Sequence, residues 1–347
     1  MKTVDILVVG AGPAGLYCAR EASRAGLDVL VVDLKSRIGL PVLCGEFFPS
    51  REFQGEPFLG EEVSTFATAI ITYCQGEPFQ NPIEGALLNR DVWEERVANQ
   101  ARQSGAAIWL NSKFAGLEHS TSASIIRGDR LHQVAFRWLV GADGATSRAR
   151  RAAGLPPLKL AYAHQTTVKG SDHPGLLEFL LDGFCGQGYA WIFHKERSCH
   201  VGLVTDSPKR LKQFAGPFGA AFADDSDQKF TCRAIPICLL GQRVGTGNVL
   251  LIGDAAGQVD PLVYGGLAYA CEAGLQVGRL LGQRPEDGLA AYTEWYERTL
   301  APRLMESLRI REIIGLGGGW RRETVEEFWP PRVCRNPFAP LTPAVSL

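Results

Sequence analysis

Glycines at fixed spacing carry the most specific chemical signal in this 347-residue chain. Gly10, Gly12 and Gly15 follow a β-branched run at 4–9 and open an Ala-rich segment of helical character at 14–25; Asp33 closes the next β-branched run, 28–32. Strand, glycine turn, helix, strand and terminal acid in this order make a dinucleotide site. Gly10 permits a tight turn, Gly12 lets a pyrophosphate approach the backbone, Gly15 lets the helix pack on the strand, and Asp33 accepts hydrogen bonds from a ribose. Pro13 and Ala14 in the same turn, and Leu34 and Lys35 beyond the acid, belong to the predicted cofactor-binding set. This motif by itself does not choose between NAD and FAD.

Two later segments narrow the choice. Val140-Gly141-Ala142-Asp143-Gly144 follows a predicted strand at 133–140 and precedes a helix. It resembles the Asp-Gly motif of aromatic-hydroxylase-type flavoproteins, which implies that Ala142, Asp143 and Gly144 lie near an FAD pyrophosphate. Gly253-Asp254-Ala255-Ala256-Gly257, after the apolar run 248–252, is similar to the Gly-Asp motif of the same superfamily, whose aspartate binds the ribityl chain. Arg90 stands where that superfamily often places an arginine near the flavin, ahead of a predicted helix at 91–104 that Asp91 would cap.

A narrower resemblance, to the geranylgeranyl reductase family, rests on three stretches. Arg37-Ile38-Gly39-Leu40-Pro41-Val42-Leu43-Cys44-Gly45-Glu46 is similar to the family's R-x-G-x-P-x-x-C-G-E; Gly188-Tyr189-Ala190-Trp191-Ile192-Phe193 resembles its G-Y-x-W-x-F-P; Asp260-Pro261-Leu262-Val263-Tyr264-Gly265-Gly266-Leu267 resembles its N-P-L-x-G-G-G-I. The resemblance implies a Cys44 thiol near the flavin as proton donor, with Gly45 and Glu46 on the same loop. Read physically, Pro261, Gly265, Gly266 and Leu267 lead into a helix whose free N–H groups suit the electron-rich side of a reduced flavin. Tyr189, Trp191 and Phe193 share one strand face by period-two alternation and would line an apolar substrate pocket. The chain departs from the family pattern at His194 for proline, Tyr264 for glycine and Asp260 for asparagine; His194 and Tyr264 are candidates to reshape the pocket or supply another acid.

These residues need a scaffold of the α/β class: a Rossmann-like FAD-binding domain with an inserted β-sheet substrate domain and a helical C-terminal region. We expect the FAD-binding domain at 1–60, 85–158 and 240–285. The β-rich runs 160–169, 176–181, 189–193 and 199–205, with a hairpin loop at Lys195-Glu196-Arg197-Ser198, place the substrate domain at 61–84 and 159–239. Segment 266–310 reads as helix, and the Pro-rich, aromatic stretch beyond 320 as an irregular surface tail. Gly315-Leu316-Gly317-Gly318-Gly319 lacks a preceding strand and reads as a turn rather than a second dinucleotide site.

Composition bounds the function. A formal net charge of −1 provides no basic field for nucleic acid. Nine cysteines without a C-x-x-C pair fit neither a disulfide framework nor a zinc site, and imply a reducing compartment. No signal peptide or membrane-spanning run is seen, so the expectation is a cytoplasmic protein, with peripheral membrane contact left open. The expected activity is FAD-dependent reduction of carbon–carbon double bonds in a prenyl or similarly apolar small molecule, with NAD(P)H, ferredoxin or a quinol as electron donor. The alternatives are an FAD monooxygenase or oxidase of a small aromatic or heterocyclic compound, and a flavin-binding module without catalysis.

Overall fold

Apolar runs become buried strands and the glycines fall where strands turn into helices. The computed structural model describes residues 1–207, 209, 231–238 and 241–334. In chain order its main elements begin with β1 (Lys2–Val9), α1 (Pro13–Arg24), β2 (Val29–Val32), β3 (Val63–Tyr73), β4 (Phe79–Leu88), α2 (Arg90–Gln103), β5 (Ala107–Trp109), β6 (Arg130–Gly141) and α3 (Arg148–Ala152). They continue with β7 (Lys159–Lys169), β8 (Leu176–Leu180), β9 (Tyr189–His194), β10 (Ser198–Thr205), β11 (Thr231–Ile237), β12 (Val249–Leu251), α4 (Leu267–Gln283), α5 (Gly288–Trp295), α6 (Ala301–Leu316) and α7 (Arg322–Val333).

The first sheet orders β12, β6, β1, β2 and β5 side by side, all parallel, with a hairpin at 112–127 added antiparallel to β6. Its central strands are apolar without alternation because both faces are covered; every residue of β2 is buried. On one face α1 and α4 cross unusually closely. A Cβ on Gly274, Gly278 or Gly282 would lie 2.1 Å from the Ala14 carbonyl oxygen, 2.5 Å from that of Cys18 and 2.4 Å from the Ala25 Cβ. Glycine at four-residue spacing therefore gives α4 a groove into which the α1 backbone settles, and that contact holds the start of α1 against Gly253.

The second sheet orders β11, β7, β10, β9, β8, β3 and β4, closed by a short strand at Phe47–Phe48. Only β3 and β8 pair in parallel; the other neighbours are antiparallel. One face of this sheet packs its alternate aromatic residues into a second apolar cluster, and the other carries polar side chains. The architecture is the expected α/β class, a Rossmann-like sheet with a second sheet and C-terminal helices. All nine cysteines are thiols, none of them in a disulfide.

Three local expectations are corrected. Helix α2 starts at Arg90 with Asn89 as its N-cap residue, so Asp91 lies within the first turn, where its charge complements the helix dipole instead of capping. Segment 266–310 is not one helix: it breaks at 284–287, where Pro285 lacks an N–H to continue the ladder and its carbonyl accepts from the Trp138 indole at 2.8 Å. The stretch beyond 320 is not an irregular tail through 333. It forms α7, because burying Val325, Trp329 and the preceding Trp320 against the second sheet outweighs the poor helix propensity of its prolines. Residues 335–347 lie outside the described residues, and Gly317–Gly319 make the turn between α6 and α7.

Candidate active site

The three glycine segments meet at one end of the first sheet. Gly10 has φ 109°, and a Cβ on it would sit 2.3 Å from the Ala142 carbonyl oxygen, so the first and second segments touch through backbone alone. A Cβ on Gly15 would lie 1.9 Å from the Gly10 carbonyl oxygen. Gly12 and Gly144, by contrast, face open space, with nothing within 4 Å of their Cβ positions. Gly12 also caps α1 without a side-chain partner and Pro13 follows it, which leaves the first-turn amides of α1 pointing outward with the positive end of the helix dipole. Two acids predicted for the cofactor serve the backbone first. Asp33 accepts from Ala11 N at 2.6 Å and Lys35 N at 2.7 Å, which braces the turn, while Lys35 Nζ reaches the Ala11 carbonyl at 3.5 Å and Leu34 is exposed. Asp143 accepts from the Ser147 hydroxyl, Arg148 N and Ala149 N, so backbone at 142–144 is the surface it presents.

The third segment adds a half-buried carboxylate at a helix start. The Cβ position of Gly266 is 3.3 Å from Asp254 Oδ1, and α4 begins at Leu267 with Gly266 as an N-cap residue that has no side-chain cap. Burial raises the Asp254 pKa above the ordinary value, against the pull of Arg90 and Arg233.

Cys44, Gly45, Glu46 and Arg90 come together between the two sheets. Arg90 Nη1 donates to Cys44 Sγ at 3.0 Å, its Nη2 pairs with Glu94, and Glu46 N donates to the sulfur at 3.2 Å. Burial works against the Arg90 charge, but Cys44 and Glu94 beside it more than offset that and raise its pKa. Glu46 is in the left-handed region (φ 60°) and only 3% exposed. Its carboxylate accepts from Lys195 Nζ at 2.5 Å and Arg90 N at 2.9 Å, and pairs with His200 Nε2 at 2.9 Å. Burial pushes its pKa up, yet His200 and Lys195 together hold it below the ordinary value. Sequence reading missed Lys195 and His200. Lys195 belongs to the hairpin loop that the sequence predicts, but its stem is buried and its ammonium also donates to the Leu88 carbonyl at 2.9 Å. The available signal was period two: His200 pairs with Phe193 across β9 and β10, so both share one face of the sheet.

That face is the aromatic wall. Tyr189, Trp191 and Phe193 lie in one cluster with Phe179, Tyr264, Trp320 and Trp329, and the Phe193 ring lies against Gly45, whose Cβ would be 2.5 Å from it. The Trp191 ring stands over Gly202, the residue it pairs with on β10. The Tyr189 hydroxyl donates to the Val263 carbonyl, and Trp320 Nε1 donates to the Gly188 carbonyl at 2.6 Å, so the turn at 260–266 and the start of α7 both close on β9. Trp320 and Trp329 were also missed, since only burial distinguishes them from surface aromatics.

His194 does not join this group. One residue beyond Phe193, it points to the opposite face, where Nε2 meets Glu178 at 2.8 Å and Nδ1 meets Ser171 at 3.3 Å and Cys199 at 3.4 Å. The candidate role of His194 as an acid in the pocket is therefore corrected by strand alternation. Cys199 and Glu178 raise its pKa to about 9. A raised pKa makes the contribution of His194 complete below about 6.5 and lost as pH climbs through about 9. We expect His194→Gln to lower stability by about 1–2 kcal/mol at pH 6 and to become equal to the parent near pH 10. Paired thermal melts across that range check this; a gap that widens with pH contradicts it.

Comparison with known proteins follows the same lines. Residues 4–225 match the model of the pyridine nucleotide-disulphide oxidoreductase family. Digeranylgeranylglycerophospholipid reductase 1 of Methanopyrus kandleri is 32% identical over 80% of this chain and 79% of its own length. Digeranylgeranylglycerophospholipid reductase 2 of Methanothermobacter thermautotrophicus is 31% identical over 90% of this chain and 88% of its own. The chain belongs to this oxidoreductase family and to that of the geranylgeranyl reductases. In fold it resembles a geranylgeranyl bacteriochlorophyll reductase-like protein of Thermoplasma acidophilum, with a TM-score of 0.77 and 23% identity over 90% of this chain and 88% of that one. A flavin-dependent brominase shares the fold at a TM-score of 0.65 and 16% identity, covering 94% and 91% of the two chains. This geranylgeranyl reductase family member is a flavin-dependent oxidoreductase, and its residues fit the flavin: open backbone at Gly12 and Gly144, uncapped starts of α1 and α4, and Asp254 beside the latter. No described helix is long and apolar enough to cross a membrane.

Proposed function

We propose that the protein holds FAD and reduces carbon–carbon double bonds in the prenyl chains of a lipid. The observation that carries this reading is the position of the Cys44 loop: a thiol held by the half-buried Arg90 guanidinium, on a loop whose Gly45 abuts the aromatic wall. Gly10, Gly12, Gly15 and the α1 amides would hold the pyrophosphate, Gly144 would leave room for it, and Asp254 with the α4 amides would face the ribityl and ring end. Bound FAD, once reduced, supplies a hydride to one alkene carbon.

The other steps belong to this chain. Tyr189, Trp191 and Phe193 orient an apolar chain and exclude water. Cys44 Sγ gives its proton to the second alkene carbon, and Arg90 stays beside the sulfur as it becomes negative; the proton is restored from solvent. The reduced product thus gains one hydride and one proton. A lipid acceptor would be taken up by peripheral contact with a membrane surface. The donor that reduces the flavin is NAD(P)H, ferredoxin or a quinol, and the pyridine nucleotide oxidoreductase character of residues 4–225 favours the first.

The test is anaerobic. Protein reduced with dithionite is mixed with geranylgeranyl lipid, and the oxidised flavin spectrum is followed. Return of that spectrum, with a product heavier by two hydrogens, is expected. A flavin that stays reduced until oxygen is admitted, then yields a hydroxylated product, transfers the assignment to the monooxygenase class.

A further inference from the structure

Tyr264 holds a backbone conformation that tyrosine adopts only under constraint. Its φ is 50°, in the left-handed region, where glycine rests without strain and a bulky residue does not. Two glycines follow it directly, so the turn already contains residues suited to such geometry. The strain is held by an unusually complete set of bonds. Tyr264 N donates to the Asp260 carbonyl at 2.9 Å and Asp260 N to the Gly265 carbonyl at 3.0 Å. The Asp260 carboxylate accepts from Leu262 N, Val263 N and the Ser307 hydroxyl at 2.9, 3.1 and 2.6 Å. The phenolic oxygen of Tyr264 accepts from Arg311 Nη1 at 2.5 Å, and the same guanidinium donates to the Pro261 carbonyl at 2.9 Å. Ser307 and Arg311 are one helical turn apart, so a single face of α6 fastens the turn and its side chain together.

Strain maintained this thoroughly points to a use for the ring. The ring is 8% exposed, belongs to the aromatic cluster, and its centroid is 6.0 Å from that of Tyr189. It fills the corner where the wall of β9 meets the Gly265–Gly266 turn. Glycine at 264 would leave a ring-sized space beside the aromatic wall. Burial also raises the pKa of the phenol, which stays neutral and does not add a charge to this apolar corner.

We propose that Tyr264 is a plug that sets the length of apolar chain the pocket accepts, with Arg311 as the residue that fixes it in place. The inference rests on the apolar-acceptor reading above. Without the ring, a chain would extend past the glycine turn toward α6; with it, a chain stops at the phenol.

The test reads binding rather than turnover. Quenching of intrinsic tryptophan fluorescence, to which Trp191, Trp320 and Trp329 of the pocket contribute, is titrated with geraniol, farnesol and geranylgeraniol in the parent, Tyr264→Gly and Tyr264→Phe. Removing the ring is expected to shift the ratio of affinities toward the longest alcohol by about tenfold or more, from the added apolar burial, while Tyr264→Phe keeps the parental order. Parental order in Tyr264→Gly, or an equal shift in Tyr264→Phe, overturns the plug. Should Tyr264→Gly fail to fold, Tyr264→Ala gives the same comparison with a smaller opening. The two readings fail separately: affinities that shift toward the longest alcohol in Tyr264→Gly, in a protein whose reduced flavin these chains never reoxidise, refute the double-bond chemistry and leave the plug standing. Reoxidation with no change in chain-length order does the reverse.

Discussion

Cys44→Ala is expected to retain flavin and to slow acceptor-dependent flavin reoxidation by about 10²- to 10⁴-fold, the usual contribution of a positioned general acid. The size follows from geometry. Cys44 Sγ is bound to Arg90 Nη1 and to Glu46 N, on a loop fixed against Phe193 through Gly45, so its proton is delivered from one place. Alanine removes the proton together with the sulfur that Arg90 Nη1 and Glu46 N bond to, while Gly45 stays packed on Phe193, and Cys44→Ser restores a weaker acid at nearly the same position. Stopped-flow absorbance under anaerobic conditions measures the effect. Reoxidation at the parental rate in the alanine variant would remove Cys44 from the mechanism while leaving the flavin site untouched.

Glu46→Gln is expected to lower stability at pH 7 by about 3–5 kcal/mol, the penalty for breaking a buried ion pair and leaving its partner uncompensated. Lys195 and His200 converge on this carboxylate, with side chains 8% and 7% exposed. Glutamine keeps the shape and can still accept from Arg90 N, so the loss isolates the charge. The sign of the pH dependence follows from the lowered pKa of Glu46. Its contribution is complete above the ordinary value of about 4.5 and disappears as pH falls through the lower folded-state value. Parent and variant should therefore differ most near neutrality and converge in acid. Urea unfolding at pH 7 and pH 4 makes the comparison; equal midpoints at pH 7 would mean that Lys195 and His200 find other support. A second consequence is functional. Glu46 N holds the Cys44 sulfur and Glu46 Oε1 holds the start of α2, so a loosened Glu46 should also lower the reoxidation rate.

Much of the cofactor side was legible before any coordinates. The turns at Gly10–Gly15, Gly141–Gly144 and Gly253–Gly257 answer backbone requirements that only glycine meets at a strand end, and such requirements are local. The strands of the second sheet were visible for the same reason, since their alternation and the loop at 195–197 are short-range patterns. The pocket was harder. Tyr189, Trp191 and Phe193 were identified by alternation along one strand, but His194 was grouped with them through adjacency in a motif, although the pleat turns it to the far side.

The sequence by itself determined the three glycine segments that meet at one end of the first sheet, the thiol loop, and the aromatic face of one strand, because each is encoded within a few consecutive residues. Only the tertiary structure decided who meets Glu46. His200 reaches it through register between β9 and β10, Lys195 through a hairpin folded inward, and Arg90 from the start of α2. It also decided that the segment 322–333 is helix and that Arg311 fastens Tyr264. Those contacts join residues 44 to 154 positions apart. At such separations the local pattern carries no partner information, and burial of charge and of aromatic surface selects the pairing.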